Sequence, residues 1–176
     1  MKVLYYVACS LDGYIATPEG GVEWLDPFQG SDEDYGFADF YASMDALLMG
    51  SRTYEFALAH PPWMSPDKQS WVFTRRDLPI AHPSITLTSD EPRRIIESLR
   101  NREVENAWLM GGGQLAASFR ADGLISQYVI SVIPVLLGDG IPLFARGGHL
   151  KQLDLAETIP FSDGVVQLTY QLPQSG

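Results

Sequence analysis

The chain has 176 residues, 45% of them apolar, which suits one domain with a sizeable core and argues against disorder over any long stretch. Its formal charge of −10, from 22 Asp and Glu against 12 Lys and Arg, excludes nucleic acid and anionic membranes as ordinary partners. The longest apolar runs, such as residues 129–135, are too short to span a bilayer.

In chain order, residues 1–8 resemble a leader at first sight, but the apolar stretch is short and Asp12 follows at once, so residues 3–9 are read as a first strand. The single cysteine, Cys9, falls in that strand; it excludes an internal disulfide and fits a reducing, cytoplasmic setting as a buried thiol. Further strands are expected over 46–49, 70–74, 84–87, 106–110 and 126–133, with helices over 32–43, 53–59, 91–102 and 113–121. The third helix is the clearest: Asp90 can cap it, Pro92 suits its first turn, and Ile95, Ile96 and Leu99 make one apolar face. Residues 150–158 and 164–172 read as a closing antiparallel hairpin. Strands alternating with helices predict a single α/β domain over 1–176 with a largely parallel sheet.

Three strand ends carry ligand chemistry. Trp108, Leu109 and Met110 run into Gly111, Gly112 and Gly113, and a helix follows immediately. Glycines there let backbone approach a ligand, and the new helix offers free N–H groups and a positive dipole end suited to a phosphate; a tight strand–helix turn is the plainer alternative. The same residues fit G-x-G-x-x-A, but a dinucleotide fingerprint of that kind belongs on the first strand of its unit, and here at least four strands precede it. Earlier, a strand ends at Gly50, where Ser51 and Thr53 can cap a helix and Arg52 supplies a cationic fork. A third strand ends in Thr74, Arg75 and Arg76. Three such ends on one edge of a parallel sheet point to an extended, multiply phosphorylated cofactor.

With these segments in order, the chain resembles the dihydrofolate reductase superfamily, and within it the branch holding the reductase domain of the bifunctional riboflavin-biosynthesis deaminase-reductase. The matching stretches are 10–16, 49–55, Thr74 with Arg75, 111–115 and 133–144. The resemblance implies a mixed, mostly parallel eight-stranded central sheet flanked by helices, NADPH as hydride donor, a pterin or ribosylated pyrimidine as substrate, and a homodimer. By position it implies that Ala8 and Ile15 line the nicotinamide site. Gly50, Arg52 and Thr53 would hold the pyrophosphate from one side, and Gly112, Gly113, Gln114 and Leu115 from the other. Thr74, Arg75 and Arg76 would surround the 2′-phosphate, a second charged group that needs its own cationic partners.

Two departures qualify this. Ser51 stands where relatives commonly carry an arginine, so preference for NADPH over NADH rests on Arg75 and Arg76. Residues 58–64 lack the arginine with which dihydrofolate reductases bind the folate glutamate. No H-x-E or P-C-x-x-C pattern occurs, so the deaminase half is absent and a free reductase domain is expected.

Hydride transfer to C=N or C=O leaves an atom needing a proton, so a nearby carboxyl group is sought. Asp34, sixteen residues before Gly50, is one candidate catalytic residue; Phe37, Ala38 and Tyr41 could wall the same pocket. The competing reading puts Asp34 with Asp32 and Glu33 in an acidic first helical turn. Asp12 is the other candidate, equally suited to turn formation with Gly13 or to substrate contact. Trp24 and Trp63 could cover the pocket, and His60, His82 and His149 have no metal spacing, so no metal site is expected. The reading is an NADPH-dependent reductase of a small heterocyclic or carbonyl compound, of pterin or ribosylaminopyrimidine type. An NADP(H)-binding protein without turnover and a true dihydrofolate reductase are the alternatives. Leu153, Leu155, Ile159, Val165, Leu168 and Tyr170 are too many apolar residues for the surface of one small domain, and predict that the closing hairpin joins a dimer interface, the alternative being that it completes the core of a monomer.

Overall fold

A computed structural model of the chain describes residues 1–29, 34–146 and 149–173. The first strand, β1 (Lys2–Ser10), sends Val3, Tyr5 and Cys9 into one face of the sheet and Leu4 and Tyr6 into the other, as a two-residue period requires. After it come β2 (Tyr14–Ala16), a 3₁₀ turn (Glu23–Leu25), α1 (Asp26–Gln29), α2 (Phe37–Ala42), β3 (Ala46–Gly50) and α3 (Ser51–Leu58). The middle of the chain forms β4 (Gln69–Phe73), β5 (Ile85–Thr88), α4 (Pro92–Arg100), β6 (Asn106–Gly111) and α5 (Gly113–Ala121). The last part forms β7 (Gln127–Ile133), β8 (Ile141–Pro142), β9 (Asp154–Pro160) and β10 (Val166–Gln171).

Eight strands make one sheet in the order β5-β4-β3-β6-β1-β7-β10-β9. Every pair from β5 to β7 is parallel; β10 runs antiparallel to β7, and β9 antiparallel to β10. β2 and β8 form a separate antiparallel pair. This is the expected mixed, mostly parallel sheet with a C-terminal antiparallel hairpin. On one face Leu48 and Leu109 pack under Ile95, Ile96 and Leu99 of α4 and Phe119 of α5. On the other, Leu47, Met49 and Trp108 lie under Tyr54 and Ala57 of α3 and Phe40 and Tyr41 of α2. Each fully buried leucine stabilises the fold by about 1.5–3 kcal/mol.

Several boundaries differ from expectation. Residues 32 and 33, at the expected start of the second helix, lie outside the described residues. Tyr35 and Gly36 are left-handed, at φ 54° and 71°, which interrupts any helix entering from that side, so α2 begins only at Phe37. β3 passes directly into α3 with Gly50 at the N-cap; neither Ser51 nor Thr53 caps it. In α4 the N-cap is Glu91, without a side-chain bond, while Asp90 instead accepts from Arg94 Nη1 at 3.3 Å. Pro92 stands in the first turn of α4 as read.

The hairpin inverts the usual pattern. Along β10 the buried row is polar, Gln167 and Thr169, whereas Leu168 and Tyr170 are only half-buried. β9 is exposed along nearly its whole length, with Leu155 56% accessible.

Candidate functional site

Parallel strands bring their carboxyl ends to one edge, and here that edge opens onto a cleft of about 2000 Å³. Ala8 and Ile15 line it beside the ends of β1 and β2. Gly50, Arg52 and Thr53 line it from β3 and α3, facing Gly112, Gly113, Gln114 and Leu115 from the turn into α5. Thr74, Arg75 and Arg76 contribute from the end of β4. All twelve residues read as cofactor contacts therefore share one cavity.

The two glycine turns meet because β3 and β6 are neighbours, with Met49 in register with Gly111. Gly112 sits at φ 91°, and a Cβ built on it would lie 3.8 Å from Thr53 Oγ1 and 3.9 Å from Gly50 Cα. α3 and α5 start at these two glycines, and neither start receives a side-chain cap. Their leading N–H groups are thus left for another acceptor, with positive dipole ends close together.

At the end of β4 the three predicted residues differ. Thr74 Oγ1 accepts the Arg76 N–H at 3.0 Å and shapes the turn. Arg76 gives Nη1 and Nη2 to the two carboxylate oxygens of Glu55 at 2.9 and 2.6 Å. That hydrogen-bonded guanidinium holds the Glu55 carboxyl below its ordinary range. Arg75 makes no hydrogen bond or ion pair among the described residues.

The floor of the cleft holds a group that sequence reasoning missed. In the sheet Ala8 stands opposite Ser131 of β7, and Ser131 stands opposite Gln167 of β10. Gln167, 8% accessible, donates from Nε2 to the Tyr6 hydroxyl at 3.2 Å, to Ser131 Oγ at 3.2 Å and to the Tyr35 carbonyl at 3.3 Å. The Tyr6 ring packs 4.4 Å from Phe40 and 6.0 Å from Phe37, centroid to centroid. Burial pushes the Tyr6 phenol above its ordinary range; hydrogen bonds from Gln167 and Ser131 oppose that, and the nearby Asp34 charge adds to it. An inward-facing glutamine between Val165 and Thr169 is the one sequence signal that marked this cluster.

Asp34 lines the cleft and also serves α2: its carboxylate accepts the N–H groups of Gly36 at 2.9 Å and Ala38 at 3.3 Å. Of its predicted companions, Phe37 lines the cleft and Ala38 and Tyr41 do not. Asp12 lies off the cleft. Its carboxylate accepts from the Ser10 hydroxyl at 2.6 Å, Leu137 N–H at 3.1 Å and Gly138 N–H at 2.7 Å. The Ser10 bond, with those two amides, holds the carboxyl below its ordinary range. This ties the turn after β1 to the segment after β7. Leu11 N–H to Val135 carbonyl and Leu143 N–H to Gly13 carbonyl, both 2.8 Å, continue the seam, and β2 pairs with β8. At Gly140 (φ 159°) a Cβ would collide with the Ala16 carbonyl, so the seam requires glycine. Neither Trp24 nor Trp63 lines the cleft; Trp63 is buried against Tyr54, its Nε1 donating to the Ser65 carbonyl at 2.9 Å. Among the described residues no three His, Cys, Asp or Glu side chains gather to hold a metal ion, and no helix is long and apolar enough to cross a membrane.

Known proteins share this architecture. The chain is 36% identical over 170 residues to the uncharacterized protein YwjB of Bacillus subtilis (strain 168), covering 96% of this chain and 97% of that one. A crystal structure from Shewanella sp. PV-4, of a protein provisionally assigned to riboflavin biosynthesis, superposes with a TM-score of 0.89 at 26% identity, covering 99% of this chain and 100% of that one. The diaminohydroxyphosphoribosylaminopyrimidine deaminase/5-amino-6-(5-phosphoribosylamino)uracil reductase of Thermotoga maritima shares the fold at a TM-score of 0.75 and 15% identity; the match covers 98% of this chain and 56% of that one. The model of the RibD C-terminal domain matches residues 1–167, and with the sheet and cleft described above it follows that this chain belongs to the RibD C-terminal domain family.

Proposed function

We propose that this chain is an NADPH-dependent reductase of a small heterocyclic or carbonyl compound, of pterin or ribosylaminopyrimidine type, acting in the cytoplasm as a homodimer. One observation carries the reading: twelve residues from five separate segments, each read as a cofactor contact, line a single cleft. The fit to a dinucleotide is supported by the crevice between Gly50 and Gly112, which a side chain would fill, and by two uncapped helix starts beside Arg52. Gly50, Arg52, Thr53 and residues 112–115 would hold the pyrophosphate, Arg75 and, where freed from Glu55, Arg76 the 2′-phosphate, and Ala8 and Ile15 the nicotinamide side.

When bound, NADPH supplies a hydride. The chain itself has to orient the substrate, exclude water and deliver a proton. Tyr6 is placed for the last task. Its oxygen accepts a hydrogen bond from Gln167, which leaves its own proton available and would stabilise the phenolate once that proton is given. Ala8, two residues along the same face of β1, brings the nicotinamide side next to it. Asp34, on the same cleft, is the second candidate and would orient a polar substrate edge.

The test is direct. NADPH should bind the purified protein with quenching of tryptophan emission, and absorbance at the reduced-nicotinamide band should fall when 5-amino-6-(5-phosphoribosylamino)uracil is added. Cofactor binding without oxidation on any pterin, ribosylaminopyrimidine or simple carbonyl compound would favour a binding protein without turnover.

A further inference from the structure

The two arginines after β4 are not equivalent. Arg76 presents both terminal nitrogens to Glu55 in a two-bond fork, the geometry that matches guanidinium to carboxylate best. Arg75 beside it makes no such commitment among the described residues. Glu55, Arg75 and Arg76 all line the cleft, and Arg52, on the same helix as Glu55, is close enough to influence its charge. A group with the chemistry of a 2′-phosphate would therefore meet one uncommitted arginine, one arginine already neutralised, and a carboxylate.

We propose that Glu55 sets the cofactor selectivity of this protein: by occupying the fork of Arg76 and placing a negative charge beside it, Glu55 leaves discrimination between NADPH and NADH to Arg75. The inference rests on the cofactor reading above and assigns to Glu55 a role opposite to that of its neighbours. The carboxylate weakens phosphate binding by either route. If the phosphate displaces Glu55, the existing pair has to be broken; if it binds beside the pair, it meets a like charge. Both partners are partly exposed, at 41% and 55% of the side chain, so the pair is open to exchange with a dianionic ligand.

The experiment is a set of binding titrations, followed by intrinsic fluorescence or calorimetry, with NADPH, NADH, 2′,5′-ADP and 5′-AMP as probes. Glu55→Gln keeps shape and removes charge; Glu55→Ala is the second variant, and both are checked for unchanged thermal unfolding. Releasing a charge-assisted contact should tighten NADPH and 2′,5′-ADP about tenfold. NADH and 5′-AMP should stay within about twofold, because they lack the second phosphate. Arg75→Ala should abolish the NADPH preference in the native background but leave it largely intact alongside Glu55→Gln, where Arg76 is free. Selective weakening of NADPH in Glu55→Gln would overturn the proposal and make Glu55 a residue that orients Arg76 for the phosphate. Equal shifts for all four probes would overturn it in favour of a purely structural pair. Absence of binding by either nicotinamide cofactor to the native protein would overturn the cofactor reading, and this inference with it.

Discussion

Gly112 and Gly50 touch across neighbouring strands: a Cβ on Gly112 would stand 3.9 Å from the Cα of Gly50. Gly112→Ala should therefore act twice. Its φ of 91° strains any L side chain by about 1–2 kcal/mol, and the methyl group enters the crevice between the two turns. We expect Tm to fall by roughly 2–8 °C and NADPH binding to weaken at least about tenfold. Gly123→Ala, at φ 67° and away from the cleft, should lower Tm while leaving binding unchanged. Thermal melts and cofactor titrations on both variants check this; parallel binding losses would remove the crevice from the cofactor site.

Tyr6→Phe should lower kcat by about 10²–10⁴-fold, the range for a lost proton donor, with NADPH affinity intact. A phenol pushed above 10 stays protonated through the neutral range, so the native rate should fall only as pH rises into the alkaline region. The Phe variant should lose that alkaline limb. Asp34→Asn serves as the comparison: a larger loss there, with the limb preserved in Tyr6→Phe, would make the carboxylate the donor.

The Asp12 carboxyl is held below its ordinary value of 3.8 in the fold, so the stability it contributes is present above that value and lost as pH falls through the lower, folded one. Asp12→Asn should accordingly lower Tm at pH 7 and make little difference near pH 2. Melts across that range decide it; an equal deficit at both ends would mean that shape, not charge, holds the seam.

Dihydrofolate should be at best a poor substrate. Residues 58–64 carry no arginine to bind the folate glutamate and lie off the cleft altogether. Turnover of dihydrofolate with a KM in the low micromolar range would contradict this.

Light scattering should give a mass of twice 19.5 kDa. β9 has a free edge and exposure along nearly its whole length, and Leu155, Leu168 and Tyr170 present apolar surface beside it. Leu155→Arg should shift the mass to the single-chain value without lowering the yield of folded protein. A native mass of 19.5 kDa, unchanged by NADPH, would make the hairpin a monomer's edge.

Much of this fold could be read from residue order, because each parallel strand is a local apolar run, and all but β7 are closed by glycine, a hydroxyl or arginine. The cofactor residues were legible for the same reason: Gly50, Arg75 and Gly112 sit at strand ends, and parallel strands place their ends together. What escaped depended on distance along the chain. Tyr6, Ser131 and Gln167 meet only because β7 lies between β1 and β10, a neighbour relation that periodicity does not encode. The bond from Arg76 to Glu55 spans α3 and β4 and converts an apparent phosphate ligand into a committed partner. Asp12 was ambiguous because Asp-Gly suits a turn and a site equally; its amide partners lie 125 and 126 residues further on. The late start of α2 comes from two left-handed residues, of which only Gly36 was a visible signal.

β1 lies between β6 and β7, so it waits for two strands made much later before both its sides can pair. Val3, Leu4 and Tyr5, all buried in the finished sheet, wait until about residue 128 has been synthesised before both sides can pair. At about 5–20 residues per second that interval is roughly 6–25 s. During translation, then, an apolar strand lacks one or both of its neighbours throughout that interval. Its keeper over that interval is whatever chaperone meets the nascent chain, and slow codons before β7 would lengthen its exposure.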